Sequence, residues 1–460
     1  MIRHNCGIGG AYQSNELVLD LYEIGTMLQH RGHEAAGIAV VEKGTIKDFK
    51  DMGSVSEVFD KKIWGQEIGA ETGIVHNRYS TTPVSTIAQP LTSTEVAIAH
   101  NGNLVNVDEL SRKYGALPET DSWFILRVFE EEEGDLVKAG LRCFDECKGA
   151  YNVVAINRRG DMLALRDKYG FHPLFIGNKD NAWYVASETI ALAGIGVRYD
   201  DIEEIAPGEM VLFSENKRET ISVENAERRE CFFEYCYFAH HLSHLNKKGN
   251  SEIRRDIGKK LWEKYKLKAD IVTYIPNSGL DYGKGFSAGA GIPLEEVFAV
   301  NTSFKRVFIT PEGKEMRNGL HLNRYSRSYL KLVPGNKVKG KSVIVADDSI
   351  VRSNVVNAAS RRLFESGAKE VHFVIGVPPI KYPCFYGIDF PTSEELIAYH
   401  IKSNNEVEIG RYVAKLIANN LGIDEERISV NYLGLKELME VFSDEKGYCY
   451  ACLNGDYPIL

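Results

Sequence analysis

The sequence predicts two domains: an α+β unit built on antiparallel sheets, then an α/β unit around a parallel sheet. Three observations carry this reading. The chain has 460 residues, beyond the size at which a single hydrophobic core keeps growing. Up to about residue 225, short apolar runs alternate with turn residues, as in antiparallel sheets with few helices. From about residue 250, strand-like and helix-like runs alternate, which is the pattern of parallel strands joined by crossovers.

The elements follow in order. Periodicity predicts helices over Leu17–Gln29, Asp121–Glu133 and Leu136–Cys147. "GIAVVEKGTIKDF" is a hairpin signal, with Lys43-Gly44 as the turn between two apolar runs. "VAIAHNGNLVN", "AYNVVAINRRGDMLALRD" and "HPLFIGNKDNAWYVASE" have the same texture. The charged "ENAERRE" at 224–230 marks a junction and divides the chain into 6–228 and 229–460. Beyond it, "ADIVTYIP" and "KSVIVADD" read as strands, and a helix over Ala358–Ser366 is capped by Gly367. "KEVHFVIGV" is the next strand. "GKGFSAGAG" (Gly283–Gly291) does not have GxGxxG spacing, so a dinucleotide site is rejected.

Composition excludes several classes. With 44% hydrophobic and 26% charged residues, the chain is an ordinary globular one. Its formal net charge is -9, and its basic residues are scattered rather than striped, which argues against nucleic acid as a partner. No apolar run is long enough for a membrane span, and "MIRHN" has no apolar leader. The cytoplasm is the expected compartment. In a reducing compartment, eight cysteines point to metal binding or catalysis rather than disulfides.

Three groups of residues carry chemistry. The first is "CGIGG". If residues 1–5 are a propeptide and are removed, Cys6 carries a free α-amine. That amine is less basic than a lysine and can serve the thiol as general base. The competing reading is a cysteine in the first strand of a sheet. An amide-hydrolysing thiol also needs donors for an oxyanion, and Asn101 with the Gly102 N–H would serve. Arg78 suits a substrate carboxylate and Asp121 an ammonium.

The second group is "KSVIVADDSIVR". Asp347 and Asp348 at a strand end can accept ribose hydroxyls, and a turn entering a helix N-terminus can hold a phosphate.

The third group is cysteine. Cys231, Cys384, Cys449 and Cys452 form a four-thiolate set suited to a [4Fe–4S] cluster or to zinc, and spacing alone does not separate the two. Cys236 is a competing ligand, although a strand over 231–236 would turn it to the opposite face from Cys231. Cys143 and Cys147, one helical turn apart, read as buried small hydrophobes. His240, His241 and His244 read as capping or surface residues.

Taken together, these motifs resemble two known families. The order Cys-Gly-Ile, His-Arg-Gly, Arg-Tyr-Ser-Thr, Gln-Pro, His-Asn-Gly-Asn-Leu resembles the class II glutamine amidotransferases over residues 6 to about 225. "RDKYGFHPLFIG" and "ASETIAL" continue the likeness, with His172 where the family usually has arginine. The resemblance implies an Ntn-hydrolase glutaminase, an αββα sandwich. Cys6 would be its nucleophile, Asn101 and Gly102 its oxyanion hole, and Arg78 and Asp121 its glutamine-binding groups.

"DDSIVR" is similar to the phosphoribosyl-diphosphate fingerprint of amidophosphoribosyltransferases. "NTSFKRVFITP" (Asn301–Pro311), "YLKL", "PCFYGID" and "EELIA" agree with it. The implied second domain is a type I phosphoribosyltransferase. Asp347, Asp348, Ser349, Arg352, Lys331 and Ser278 would line its acceptor site, with Mg2+ near the two aspartates. The family's iron–sulfur branch implies a [4Fe–4S] cluster on Cys231, Cys384, Cys449 and Cys452. It also implies purine nucleotides as regulators, and a homodimer or homotetramer. The expected reaction hydrolyses glutamine and passes ammonia to C1 of phosphoribosyl diphosphate, giving 5-phosphoribosylamine in purine synthesis.

The sequence also departs from the family. Ser353, Asn354, Val355, Val356, Asn357 and Ala358 stand where it has Gly-Thr-Thr-Ser-Arg-Arg. "PNSG" (Pro276–Gly279) replaces "PDSG", and the loop is longer around Leu320–Ser326. Losing three charge-assisted bonds, at about 1.5–3 kcal/mol each, would weaken a phosphate site at least about a thousandfold. Another phosphorylated acceptor is therefore the alternative expectation.

Overall fold

Hydrophobic alternation along the first strands builds two stacked sheets. The computed structural model describes residues 6–79, 87–116, 118–245, 248–300, 330–332, 337–390, 392–443 and 446–460. The first sheet uses β1 (Gly7–Tyr12), β2 (Ala35–Glu42), β3 (Thr45–Met52), β4 (Gly73–Arg78), β9 (Phe175–Lys179), β10 (Ala182–Ala186) and β11 (Ile202–Glu204). Its order is β11-β9-β10-β1-β4-β2-β3. The second uses β5 (Leu91–Thr92), β6 (Val96–Leu104), β7 (Gly149–Asn157), β8 (Met162–Arg166), β12 (Glu209–Ser214) and β13 (Lys217–Ser222), in the order β13-β12-β8-β7-β6-β5.

Ile8, Ile74, Ala97, Val154 and Ile156 fill the space between the sheets. Alternate residues face outward, because strand side chains have a period of two. Ala11 and Val75 pack under helices α1 (Leu17–Met27) and α2 (Val55–Lys62). Val153 and Ala155 pack under α4 (Ser122–Glu131) and α5 (Leu136–Glu146), while the short α3 (Val107–Tyr114) follows β6. The result is the expected αββα sandwich. Cys143 and Cys147 lie in its α4–α5 core.

The second half is a parallel sheet, β17-β20-β21-β22, made of Ile271–Tyr274, Ser342–Asp347, Glu370–Ile375 and Ile428–Tyr432. Ile344 and Ala346 face α7 (Asn250–Tyr265) and α8 (Leu280–Ala290). Val343 and Val345 face the helices Asn354–Glu365 and Glu406–Leu421. Short pairs complete the fold: β14 (Glu230–Cys231) with β23 (Tyr448–Cys449), β15 (His244–Leu245) with β16 (Lys248–Gly249), and β18 (Phe298–Val300) with β19 (Leu330–Leu332). Among the described residues, no helix is long and apolar enough to cross a membrane.

Three expectations change. The first helix ends at Met27, and a separate 3-10 turn covers Gln29–Arg31. The helix expected from Ala358 starts at Asn354; Asn354, Val355 and Val356 are weak helix formers, which hid its first turn. Residues 231–236 are not a strand, because β14 stops at Cys231 and a π-helical turn runs over Glu234–Phe238. The propeptide expected at 1–5 and the loop segments Asn301–Pro311 and Leu320–Ser326 lie outside the described residues.

The glycine-rich stretch at 283–291 falls largely within α8, and its function there is packing. A Cβ on Gly285 would meet the Arg255 carbonyl oxygen at 1.9 Å, and one on Gly258 would meet that of Tyr282 at 2.1 Å. Each helix thus seats a glycine against the other's backbone. Gly285→Ala should push α7 and α8 apart at a cost of about 3 kcal/mol. Thermal unfolding would show this as a midpoint lowered by several degrees.

Candidate active sites and the junction between them

Cys6 opens β1 and is fully buried. Its backbone N donates to Asn101 Oδ1 at 2.7 Å, and its Sγ lies 3.9 Å from the Tyr79 carbonyl oxygen. Burial pushes the thiol up to about 12, against the Tyr79 contact and the nearby Arg78 and Arg31. As an internal residue, Cys6 is therefore a protonated thiol. Asn101 spends its oxygen on Cys6, while its buried Nδ2 has no hydrogen-bond partner among the described residues. An unpaired buried amide costs about 1–3 kcal/mol, so a fold that keeps one presents a ready donor. Gly102 beside it has φ +145°. A Cβ there would lie 2.0 Å from the Ala150 oxygen, so only glycine keeps β6 in register.

The two predicted glutamine-binding groups approach from different strands. Arg78 ends β4, and burial pushes its guanidinium below the ordinary arginine range, with Cys6 and Glu34 pulling the other way. Gly32 of the His-Arg-Gly motif explains itself here, since a Cβ on it would sit 2.4 Å from the Arg78 carbonyl carbon. Asp121 caps α4, and its Oδ2 accepts from the Leu104 amide at 2.8 Å. Burial raises its carboxyl to about 6, against the Leu104 and Ser122 amides. His100 is structural by contrast: its Nδ1 lies 2.7 Å from Ser122 Oγ, and its amide donates to Gln89 Oε1 at 2.9 Å.

One buried ion cluster joins the two halves, and sequence reasoning assigned its members no role. Arg31, fully buried, donates through Nη1 to Glu188 Oε1 at 2.7 Å and through Nη2 to Glu234 Oε1 at 2.7 Å. Its Nε donates to the Cys6 carbonyl at 3.1 Å. Burial opposes ionisation of both acids, yet His30 and Arg31 hold Glu188 far below the carboxylate range. Arg31 and His172 hold Glu234 at about 2. Glu188 Oε2 also accepts from the His240 amide at 2.8 Å and from Ser243 Oγ at 2.7 Å. His240 is thus half-buried in this seam, and burial, with His30 and His241 beside it, lowers its pKa to about 4. Arg31 and Glu188 both lie inside quoted motifs; their pairing was the missed signal.

The second site is a cleft at the carboxyl ends of the parallel strands, lined by Ser278, Asp347, Asp348, Arg352, Asn354 and Tyr79. Asp347 accepts from Ser278 Oγ at 3.4 Å, and Ser349 Oγ donates to Asp348. Burial, and then repulsion from Asp348, pushes Asp347 well above the carboxylate range. Arg352 pairs with Glu395, Nε to Oε2 at 2.8 Å. Lys331 lies on β19, but its side chain is outside the described residues. Ser353 holds φ +57°, a left-handed backbone that a glycine adopts freely. Tyr79 ties this cleft to Cys6: its hydroxyl lies 3.4 Å from Asp389 Oδ2, at the far wall.

The four predicted cluster cysteines are all buried. Parallel pairing of β14 with β23 sets Cys231 opposite Cys449. Burial, and then the proximity of Cys384 and Cys449, pushes the Cys231 and Cys452 thiols far up. Among the described residues, no group of three or more such side chains is arranged to hold a metal ion. The set therefore converges without closing to ligand geometry. Cys236, beside Arg254 and Tyr282, also lies within electrostatic reach of Cys452.

Known proteins share this sequence and fold. A glutamine amidotransferase domain family matches residues 76–194. The amidophosphoribosyltransferase of Mycobacterium leprae is 34% identical over 99% of this chain and 82% of its own length. That of Archaeoglobus fulgidus is 34% identical over 99% of this chain and 98% of its own. The solved glutamine phosphoribosylpyrophosphate amidotransferase of B. subtilis, complexed with ADP and GMP, superposes with a TM-score of 0.83 at 30% identity. That match covers 99% of this chain and 98% of the other. The chain belongs to the amidophosphoribosyltransferase family.

Proposed function

We propose a division of labour for the family's reaction, the glutamine-dependent amination of phosphoribosyl diphosphate, which this chain carries out. Residues 6–228 form the glutaminase and 229–460 the transferase. Removal of residues 1–5 turns the Cys6 nitrogen into an α-amine, which takes the thiol proton as the sulfur attacks glutamine's side-chain amide. Asn101 Nδ2 and the Gly102 N–H stabilise the oxyanion, Arg78 binds the substrate carboxylate, and Asp121 binds its ammonium. Ammonia then passes Tyr79 into the second cleft. The observation that carries this reading is the split use of Asn101, whose oxygen holds the Cys6 nitrogen while its buried Nδ2 stays unpaired.

In the second cleft, Asp347 and Asp348 accept the ribose hydroxyls, with Ser278, Ser349, Arg352 and Lys331 around the acceptor. Two buried, mutually repelling carboxylates suit hydroxyl donors and a nearby cation, so Mg2+ fits. When bound, it neutralises the pyrophosphate leaving group. The alternative of a different phosphorylated acceptor is not favoured: the left-handed Ser353 backbone keeps a glycine-like turn ahead of the helix, and the family likeness runs the full length of the chain. Four buried thiols near one another supply the ligand chemistry of a [4Fe–4S] cluster, which Cys231, Cys384, Cys449 and Cys452 would hold once drawn closer, tying β14, β23 and the Cys384 loop together. A cytoplasmic homo-oligomer regulated by purine nucleotides completes the reading.

The test is anaerobic glutamine turnover by the purified protein, with and without phosphoribosyl diphosphate and Mg2+, alongside intact-mass analysis of the N-terminus. A chain beginning at Cys6 should hydrolyse glutamine faster with phosphoribosyl diphosphate and release pyrophosphate. A mature chain indifferent to it would overturn the acceptor. The raised Asp121 carboxyl makes a separate prediction. Below pH about 6 its neutral form dominates and loses the ammonium, so glutamine binding to a Cys6→Ala protein should weaken about tenfold per pH unit, as read by calorimetry. Anaerobic protein should also contain about four irons per chain, and Cys452→Ser should lose them together with thermal stability.

A further inference from the structure

The loop between β8 and β9 carries His172 into the junction, where it is fully buried. Its Nδ1 lies 2.7 Å from Glu234 Oε1, and its Nε2 lies 2.7 Å from the Tyr386 carbonyl oxygen. Both partners can only accept a hydrogen bond. A neutral imidazole has a single N–H, so one of these contacts would set lone pair against lone pair. The imidazolium satisfies both. The other charged groups around the ring are Arg31 and Glu188 beyond Glu234, and Asp167 and Arg166 on its own loop. The segment around Cys384 presents the Tyr386 carbonyl.

The chain of contacts runs on to the reaction centre. His172 shares Glu234 Oε1 with Arg31 Nη2, and Arg31 Nε holds the Cys6 carbonyl at 3.1 Å. We propose that His172 is a positioning residue for glutamine hydrolysis: as an imidazolium it fixes Glu234, and through Glu234 and Arg31 it fixes the backbone of Cys6. An arginine, usual at this place in the family, would also donate at both positions. The inference rests on Cys6 being the nucleophile.

The experiment measures kcat and KM for glutamine at one pH, on the mature cluster-loaded enzyme and its variants. His172→Gln, whose single amide nitrogen cannot reach both acceptors, should lower kcat about tenfold with KM little changed. His172→Arg, which can donate to both, should stay within about twofold of the wild type. Glu234→Gln should lower kcat about as far, and the double variant should fall no further, because the two act along one path. A His172→Gln enzyme with wild-type kcat overturns the proposal, as does a loss confined to KM or a His172→Arg enzyme no better than His172→Gln. No hydrolysis by the wild type would overturn the Cys6 assignment, and this inference with it.

Discussion

The junction depends on one buried guanidinium. Arg31 sits between Glu188 and Glu234, at 2.7 Å from each, with no exposed surface. Desolvating three charges is expensive, and removing any single member would strand the others, a loss of about 3–5 kcal/mol. A buried ionic cluster of this kind is a poor source of stability but a strict constraint on geometry. It fixes how the αββα sandwich meets the parallel-sheet unit, because Glu188 belongs to the first and Glu234 to the start of the second. It fixes Cys6 as well, since the same guanidinium holds that residue's carbonyl.

Seen from that cluster, the two reaction centres share a wall. Tyr79 touches Cys6 through its carbonyl and Asp389 through its hydroxyl, and Asn103 Nδ2 donates across the junction to the Phe385 carbonyl at 2.8 Å. Tyr79 and Phe238, 6.2 Å apart edge to face, both line the second cleft and make its wall towards Cys6 apolar. An apolar wall favours a small neutral solute over a cation, whose desolvation is costly.

Much of this was legible in the sequence. Period-two alternation and turn residues located the antiparallel strands, and strand–helix alternation located the parallel sheet. The candidate residues Cys6, Arg78, Asn101 and Asp121 stood out because the order of their motifs resembles a known family. Other features were hidden for physical reasons. Arg31 meets Glu234 across a long loop of chain, and no local pattern reports such a pair. The glycines of α8 lacked the spacing of a dinucleotide loop, but the close helix crossing they serve is not encoded in that spacing either. The start of the Asn354 helix was masked by β-branched residues, whose weak propensity is outweighed once Val356 packs beneath the sheet. A strand over 231–236 would have set Cys236 opposite Cys231, but β14 stops at Cys231 and Cys236 lies in a π-helical turn.

The pairing of β14 with β23 has a consequence for how the molecule is made. Cys231 lies beside Cys449, so a residue near the middle of the chain waits for one made much later. During synthesis, chains emerge at about 5–20 residues per second, and domains fold as they appear. The αββα sandwich is therefore out and folded well before Tyr448 and Cys449 leave the ribosome. Phe232, which stacks on Tyr450 in the finished protein, waits through that interval for its partner, so closing the β14–β23 pair is a late step in making the molecule.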